Sequence, residues 1–109
     1  MAKRARTERR ERARAAVKLA QARLKLAALE AGGAPDRPIE VTSASTVEVH
    51  ASSMPCAACG ELGVRVEEHV AETFTSDEGE RRLRVAKVVC PRCGVRRDVF
   101  FRIGTPLPS

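Results

Sequence analysis

The sequence predicts an α+β protein in which a long N-terminal α-helix precedes a small three-stranded antiparallel sheet. Three features of the chain lead to this fold class. Residues 2–31 contain no glycine or proline and consist almost entirely of strong helix formers. Residues 64–103 contain three stretches that are rich in β-branched residues. All four cysteines lie in two pairs, one before the first of these stretches and one between the second and the third.

The predicted helix spans residues 1–31 and carries the whole of the net positive charge. It contains ten Lys or Arg against three Glu, a net charge of +7, whereas residues 32–109 contain ten basic and eleven acidic residues. Gly32 and Gly33 are typical of the end of a helix, and two prolines follow them. We therefore assign residues 32–38 to a linker, 39–104 to the domain that contains the cysteines and 105–109 to a loose tail.

Seven basic residues dominate the first half of the helix and spread over most of its circumference. We name this segment the basic arm and expect it to bind the phosphates of DNA or RNA, although an acidic protein surface would fit the same charges. A solvated helix that serves only solubility is the alternative interpretation. The basic residues of the arm are Lys3, Arg4, Arg6, Arg9, Arg10, Arg12 and Arg14.

The second half of the helix carries an apolar seam whose members are spaced four, three, four and three residues apart. The seam consists of Ala15, Leu19, Ala22, Leu26 and Leu29, and a weaker stripe consists of Val17, Ala20, Leu24 and Ala27. The seam lasts about two heptads, which is short for a coiled coil. We expect Leu19, Ala22, Leu26 and Leu29 to form an interface, either with the remainder of the same chain or with a second copy in a homodimer.

The remainder of the chain predicts strands. Residues 39–50 are rich in β-branched side chains and predict one or two short strands before the first cysteine pair. Residues 64–74 and 83–89 predict a hairpin, because the intervening Ser-Asp-Glu-Gly at 76–79 has turn chemistry. Alternation over residues 95–103 predicts the third strand.

The cysteines lie in the segments Cys56-Ala-Ala-Cys59-Gly60 and Cys90-Pro-Arg-Cys93-Gly94, and thirty residues separate Cys59 from Cys90. Two Cys-x-x-Cys turns that face each other present four thiolates to one ion, and the glycine lets the chain turn sharply behind the second thiolate. Disulfides are not expected because no secretory leader is recognisable, and a redox dithiol normally has one such pair in a βαβ setting. The spacing therefore predicts a closed structural metal site.

This pattern resembles the paired knuckles of zinc ribbons, and the second pair is also similar to the rubredoxin knuckle. The resemblance covers residues 54–103 and implies a three-stranded antiparallel zinc ribbon that acts as a binding module. Rubredoxins pack aromatic residues around iron, whereas this chain has three Phe and no Trp or Tyr. The composition therefore favours Zn²⁺, and an iron electron carrier is the alternative.

The turn residues Asp77 and Glu78 are similar to the acidic hairpin tip of transcript-cleavage elongation factors, but an ordinary polar turn is the favoured interpretation because Asp, Glu and Gly are common in exposed turns. His50 and His69 are not needed as ligands beside four cysteines.

No phosphate-binding loop, hydroxyl nucleophile motif or catalytic carboxylate pair is present, so we expect a binding protein and not an enzyme. Without a long apolar segment, we expect it to be cytoplasmic and not membrane-bound.

Overall fold

Two helices and four strands follow one another in the computed structural model, which describes residues 2–104, with side chains from Arg4 onward. The strands form one sheet in the order β1-β4-β3-β2. The predicted tail, residues 105–109, lies outside the described residues. The elements are α1 (Ala2–Leu29), β1 (Ile39–Val41), α2 (Ala44–Ser53), β2 (Arg65–Ser76), β3 (Gly79–Val89) and β4 (Arg96–Ile103).

The sheet has four strands and is mixed, so the prediction of a three-stranded antiparallel ribbon is wrong, although the α+β class holds. The additional strand is β1, which pairs in parallel with β4 so that Ile39 lies opposite Phe101. The main-chain N–H of Gly104 donates to the carbonyl of Val41 at 2.8 Å and extends this pairing. Three residues are too few to show an alternating pattern, so the sequence did not indicate which strand β1 would join.

Residues 44–53 form the helix α2, where we expected an extended chain. Ser43 is extended (φ −151°, ψ 157°) and precedes the first turn. Its hydroxyl lies 2.9 Å from the hydroxyl of Thr46. Val47 and Ala51 are four residues apart and are both buried, which is helical spacing. Burial on one helical face therefore overrode the β propensity of Thr46 and Val47.

The predicted hairpin is present as β2 and β3. Its strands pair from Arg65 opposite Val89 to Ser76 opposite Gly79, which leaves a two-residue turn. Gly79 adopts a φ of 115°, a conformation that is strained for other residues. β4 pairs antiparallel with β3, and Phe101 is fully buried on this strand.

Two small apolar clusters hold the sheet together. The first lies between α2 and the sheet, where Val47, Val99 and Phe101 are almost inaccessible to solvent, and His50 packs edge-on against Phe101 with ring centroids 5.5 Å apart. The second surrounds buried Cys56 and Cys90. Because domains this small rarely obtain enough stability from packing alone, a bound metal would supplement these clusters.

α1 docks through its weaker apolar stripe, not through the seam. Ala20 and Leu24 pack against the cluster around the cysteines. Leu19, Leu26 and Leu29 remain 54%, 61% and 64% exposed. The expectation that the seam would dock on the remainder of the chain is therefore not met by this structure.

The junction after α1 is also held by main-chain contacts. The N–H of Phe100 donates to the carbonyl of Gly32 at 2.9 Å. Gly32 has a φ of 84°, and a Cβ atom there would lie 2.6 Å from Ile39 Cδ1, so both conformation and space favour glycine. The guanidinium of Arg37 donates to the carbonyl of Ala28 at 3.2 Å, near the end of α1. In residues 2–104, neither helix is long and apolar enough to cross a membrane.

Candidate metal centre

The two cysteine pairs occupy loops at the same end of the sheet. Cys56 and Cys59 follow α2, and Cys90 and Cys93 lie between β3 and β4. In each loop the N–H of the glycine donates to the carbonyl of the first cysteine, at 2.9 Å for Gly60 and 2.8 Å for Gly94. The two glycines have φ angles of 78° and 77°. The two turns therefore share one geometry, as expected for a pair of metal-binding knuckles.

A second hydrogen bond closes each turn. The N–H of Cys56 donates to the carbonyl of Glu61 at 2.9 Å, and the N–H of Cys90 donates to the carbonyl of Val95 at 3.0 Å. The N–H of Cys59 also lies 3.5 Å from Sγ of Cys56.

The four sulfur atoms form one cluster, in which all lie within 4.8 Å of one another. Two contacts join the knuckles, with Cys56 Sγ 3.6 Å from Cys93 Sγ and Cys59 Sγ 3.7 Å from Cys90 Sγ. Four sulfurs at about 2.3 Å from a central ion lie about 3.8 Å apart in a regular tetrahedron. A disulfide would require about 2.05 Å. The cluster is thus the right size for one tetrahedrally coordinated metal ion.

The second knuckle sets different pKa values for its two thiols. The backbone N–H groups of Cys93 and Arg92 lower the pKa of Cys90 to about 7, against the opposite effect of burial. For Cys93 the backbone of Val95 lowers the pKa, but desolvation and the neighbouring cysteines outweigh it and raise the pKa to about 12. Close thiols resist simultaneous ionisation unless a cation compensates their charge. A metal ion would supply that charge.

Four thiolates around one metal ion would complete a tetrahedral shell and would leave no open coordination position for a substrate or water. Cys56 and Cys90 are buried, whereas Cys93 is exposed. Within the described part of the chain, these four residues form the one group of His, Cys, Asp or Glu side chains arranged to hold a metal ion.

Neither histidine joins this group. His50 packs against Phe101. Nδ1 of His69 lies 3.6 Å from a carboxylate oxygen of Glu48, which links β2 to α2. The hairpin-tip residues Asp77 and Glu78 are exposed, and Glu78 accepts a hydrogen bond from Arg81 at 3.0 Å.

The contact between α1 and the knuckles uses a face of the helix that was not predicted. Ala20 and Leu24 belong to the weaker stripe, yet they pack against the cysteine cluster. Arg97 is half-buried nearby, and burial lowers the pKa of its guanidinium although Glu30 and Cys56 favour its charged form. The sequence feature that could have indicated this contact is the weaker stripe itself, because its small alanines allow α1 to approach a loop closely.

The basic arm lies apart from the metal centre. The side chains of residues 4–14 are exposed, and the side chain of Lys3 lies outside the described set. Among the described arm residues the structure gives one ion pair, between Arg12 and Glu8 at 3.9 Å. Arg4, Arg6, Arg9, Arg10 and Arg14 have no ion-pair partner in that part of the chain.

No protein-family model, curated protein or solved structure matches this chain. The four cysteines thus remain the basis for assigning a site, and they support a metal-binding centre that joins α2, the sheet and α1.

Proposed function

We propose that this protein is a nucleic-acid-binding module in which a structural Zn²⁺ ion holds the base of α1 and the basic arm neutralises backbone phosphates. In this proposal the protein binds and does not catalyse. The paired knuckles retain a resemblance to those of zinc ribbons, although the sheet differs. Zinc is favoured over iron because the surroundings of the cysteines contain small aliphatic residues and no aromatic side chains.

The observation that carries the proposal is the exposed positive charge of the arm, which acidic residues do not balance. On the strands of the sheet, three of seven arginines, Arg81, Arg96 and Arg102, form an ion pair with a glutamate, and over residues 32–109 eleven acidic residues balance ten basic ones. In the arm, five of the six described arginines lack such a partner and are exposed. Unpaired surface cations attract polyanions, because phosphate binding releases condensed counterions.

The position of these charges within α1 strengthens the argument. The first turn of α1 contains no acidic residue. Positive charge at a helix N-terminus opposes the helix dipole, so the arm is electrostatically unfavourable when it stands alone. A bound polyanion would remove that repulsion and would also face the exposed N–H groups of the first turn.

The geometry leaves room for such a partner. A helix of 28 residues is about 42 Å long, and the molecule measures 70 × 30 × 24 Å. α1 contacts the cysteine cluster near Ala20 and Leu24. The side chains of residues 4–19 are all exposed, so a duplex or folded RNA would reach the arm without displacing the sheet.

The salt dependence of binding tests the proposal. Fluorescence anisotropy with duplex DNA and with duplex RNA should give affinities that fall steeply with salt. Removing two phosphate contacts with Arg9→Gln and Arg10→Gln should reduce the slope of log K against log [salt] by about 2 for DNA. Glutamine retains helix propensity, so the change isolates charge.

A matched control uses two exposed arginines of the sheet, Arg65 and Arg82. The variant with Arg65→Gln and Arg82→Gln has the same net charge as the arm variant and should keep the parental slope. Equal losses in both variants would show a general effect of net charge and would refute the arm as the binding site. Metal analysis of protein purified without added zinc checks the metal: a red protein that contains iron would refute the zinc assignment.

A further inference from the structure

The exposed seam of α1 lies on the side of the helix that faces away from the metal centre. Successive residues are rotated by about 100° around the helix axis, so Leu26 lies within about 20° of Leu19. Ala20 and Leu24 lie about 100° and about 140° from Leu19 around the same axis. The docking contact of α1 uses Ala20 and Leu24. Residues 2–104 thus provide no cover for Leu19, Leu26 and Leu29, each of which is more than half exposed.

This exposure is concentrated on one element. Seven large apolar side chains are exposed in the described residues, and four of them lie on α1, including all three leucines of the seam. Leucines at intervals of seven and three residues form the stripe that one helix presents to another. Ala15 and Ala22 occupy the alternate positions and would let a partner helix approach closely.

The charges beside the seam decide what kind of helix fits it. Between Glu11 and Glu30 the helix carries five basic residues and no acidic residue. Lys18 and Lys25 lie on one flank of the seam, and Arg23 lies on the other. In a helix pair these flanking positions meet the corresponding positions of the partner.

Self-association is disfavoured by the same charges. Two copies of the seam, which spans residues 15–29, would bring six positive charges together, from Lys18, Arg23 and Lys25 of each copy, in either a parallel or an antiparallel pair. Opposed lysines and arginines at flanking positions are repulsive and are used in coiled coils to prevent pairing. A partner with glutamates or aspartates at its flanks would instead gain complementary contacts along the whole seam.

We propose that the seam of Ala15, Leu19, Ala22, Leu26 and Leu29 is a docking surface for an amphipathic helix of a partner protein whose apolar stripe is flanked by acidic residues. Such a partner is a protein helix, so this surface is separate from the phosphate-binding role proposed for the arm. One face of α1 then contacts the metal centre while the opposite face recruits a second protein.

A designed peptide pair tests this assignment. The first peptide has about three heptads with leucine at the two core positions and glutamate at the flanking positions, and the second replaces those glutamates with lysines. The full-length, metal-loaded protein should bind the acidic peptide at least about tenfold more tightly than the basic peptide, by isothermal titration calorimetry. Comparable affinities for the two peptides would overturn the charge argument.

Two variants separate seam contacts from general attraction to a cationic helix. Leu19→Gln with Leu26→Gln should weaken binding of the acidic peptide at least about tenfold without changing the charge. Val17→Gln alters a residue that is 56% exposed but lies off the seam, and it should bind like the parent. Undiminished binding by the double leucine variant, or an equal loss in the Val17 variant, would overturn the proposal.

Two further measurements test the competing occupants. Sedimentation equilibrium should find a monomer at micromolar concentration, and a dimer that the double leucine variant abolishes would assign the seam to a second copy and overturn the proposal. Duplex affinity should be unchanged in the double leucine variant, and a loss would assign the seam to nucleic acid. The variant with Arg9→Gln and Arg10→Gln should keep the seam-dependent tenfold difference, so failure of the arm and failure of the seam are distinguishable.

Discussion

At the scale of single residues, the four sulfur atoms are the most specific feature of the molecule. Their separations, with contacts of 3.6 and 3.7 Å between the knuckles, match the edge of a metal–sulfur tetrahedron. The sequence allowed this cluster to be predicted because metal coordination demands a particular residue at a particular spacing. The predicted ligands are therefore the part of the candidate site that needed the least structural information.

Replacing one ligand should remove most of the stabilisation that the metal provides. Cys56→Ser introduces a poor zinc ligand and leaves three cysteines, for whose sulfur atoms zinc must compete with protons. We expect the melting temperature of the metal-loaded protein to fall by more than about 10 °C, since each kcal/mol corresponds to roughly 4–8 °C in a small domain. Thermal unfolding followed by circular dichroism, together with zinc stoichiometry, measures this.

The matched control is Ala57→Ser, which introduces the same hydroxyl one position along the same knuckle. It should bind one zinc ion per chain and should melt within a few degrees of the parent. If Cys56→Ser also retained full zinc content and melting temperature, the cluster would not be the metal site.

Proton release on metal binding follows from the thiol pKa values. In the metal-free protein the pKa of Cys90 is lowered to about 7, whereas that of Cys93 is raised to about 12 and that of Cys59 is also raised. Near pH 7.5, zinc must therefore displace protons from at least Cys59 and Cys93, so its affinity should rise with pH. Titrations in buffers of different ionisation enthalpy should give a release of about two protons or more.

At the scale of elements, patterns that extend over many residues were predicted well, and short ones were not. The composition of α1 and the two turn-linked strands β2 and β3 are local features that need no tertiary information. The helix α2 was missed because Thr46, Val47 and Val49 have β propensity, and the deciding fact is the burial of Val47 and Ala51 against Phe101. The parallel pairing of β1 with β4 was not predicted, because pairing between strands that are distant in sequence depends on tertiary packing.

The docking of α1 is the element-scale contact that links the metal centre to the arm. Leu24→Gln removes an apolar side chain packed against the cysteine cluster, whereas Leu26→Gln changes a neighbour that is 61% exposed. We expect Leu24→Gln to accelerate amide exchange in the second half of α1 by about tenfold, because a loss of about 1.4 kcal/mol corresponds to that factor. Hydrogen exchange with mass spectrometry should show little change for Leu26→Gln.

Equal exchange in the two variants would show that Leu24 does not hold α1 on the knuckles.

The choice between the two apolar stripes could not be made from the sequence. The seam has larger side chains than the docked stripe, but the space beside the knuckles suits Ala20 together with a single leucine. Steric fit to a loop, which hydrophobic periodicity does not describe, selected the weaker stripe.

At the scale of the whole molecule, the chain combines a sheet that carries the cysteine cluster with a helix that has three distinct regions. One region contacts the knuckles, the seam is exposed on the opposite side, and the arm precedes both along the chain. The arm makes no described ion pair with the sheet, so its charge is available whether or not the sheet is intact. Stability and phosphate binding should therefore be separable.

Removal of the metal is the experiment that separates them. A strong chelator should unfold the sheet, because the apolar clusters of the described residues are small and the cysteine cluster would lose its cation. Affinity for duplex DNA at low salt should fall by less than about fivefold, since phosphate contacts depend on the arginines of the arm and a polyanion favours their helical conformation. Near-ultraviolet signals are weak without Trp or Tyr, so amide exchange should report unfolding and anisotropy should report binding. Loss of duplex binding in step with loss of the sheet would instead place the nucleic-acid surface on the domain that carries the cysteine cluster, where the ion-paired arginines lie.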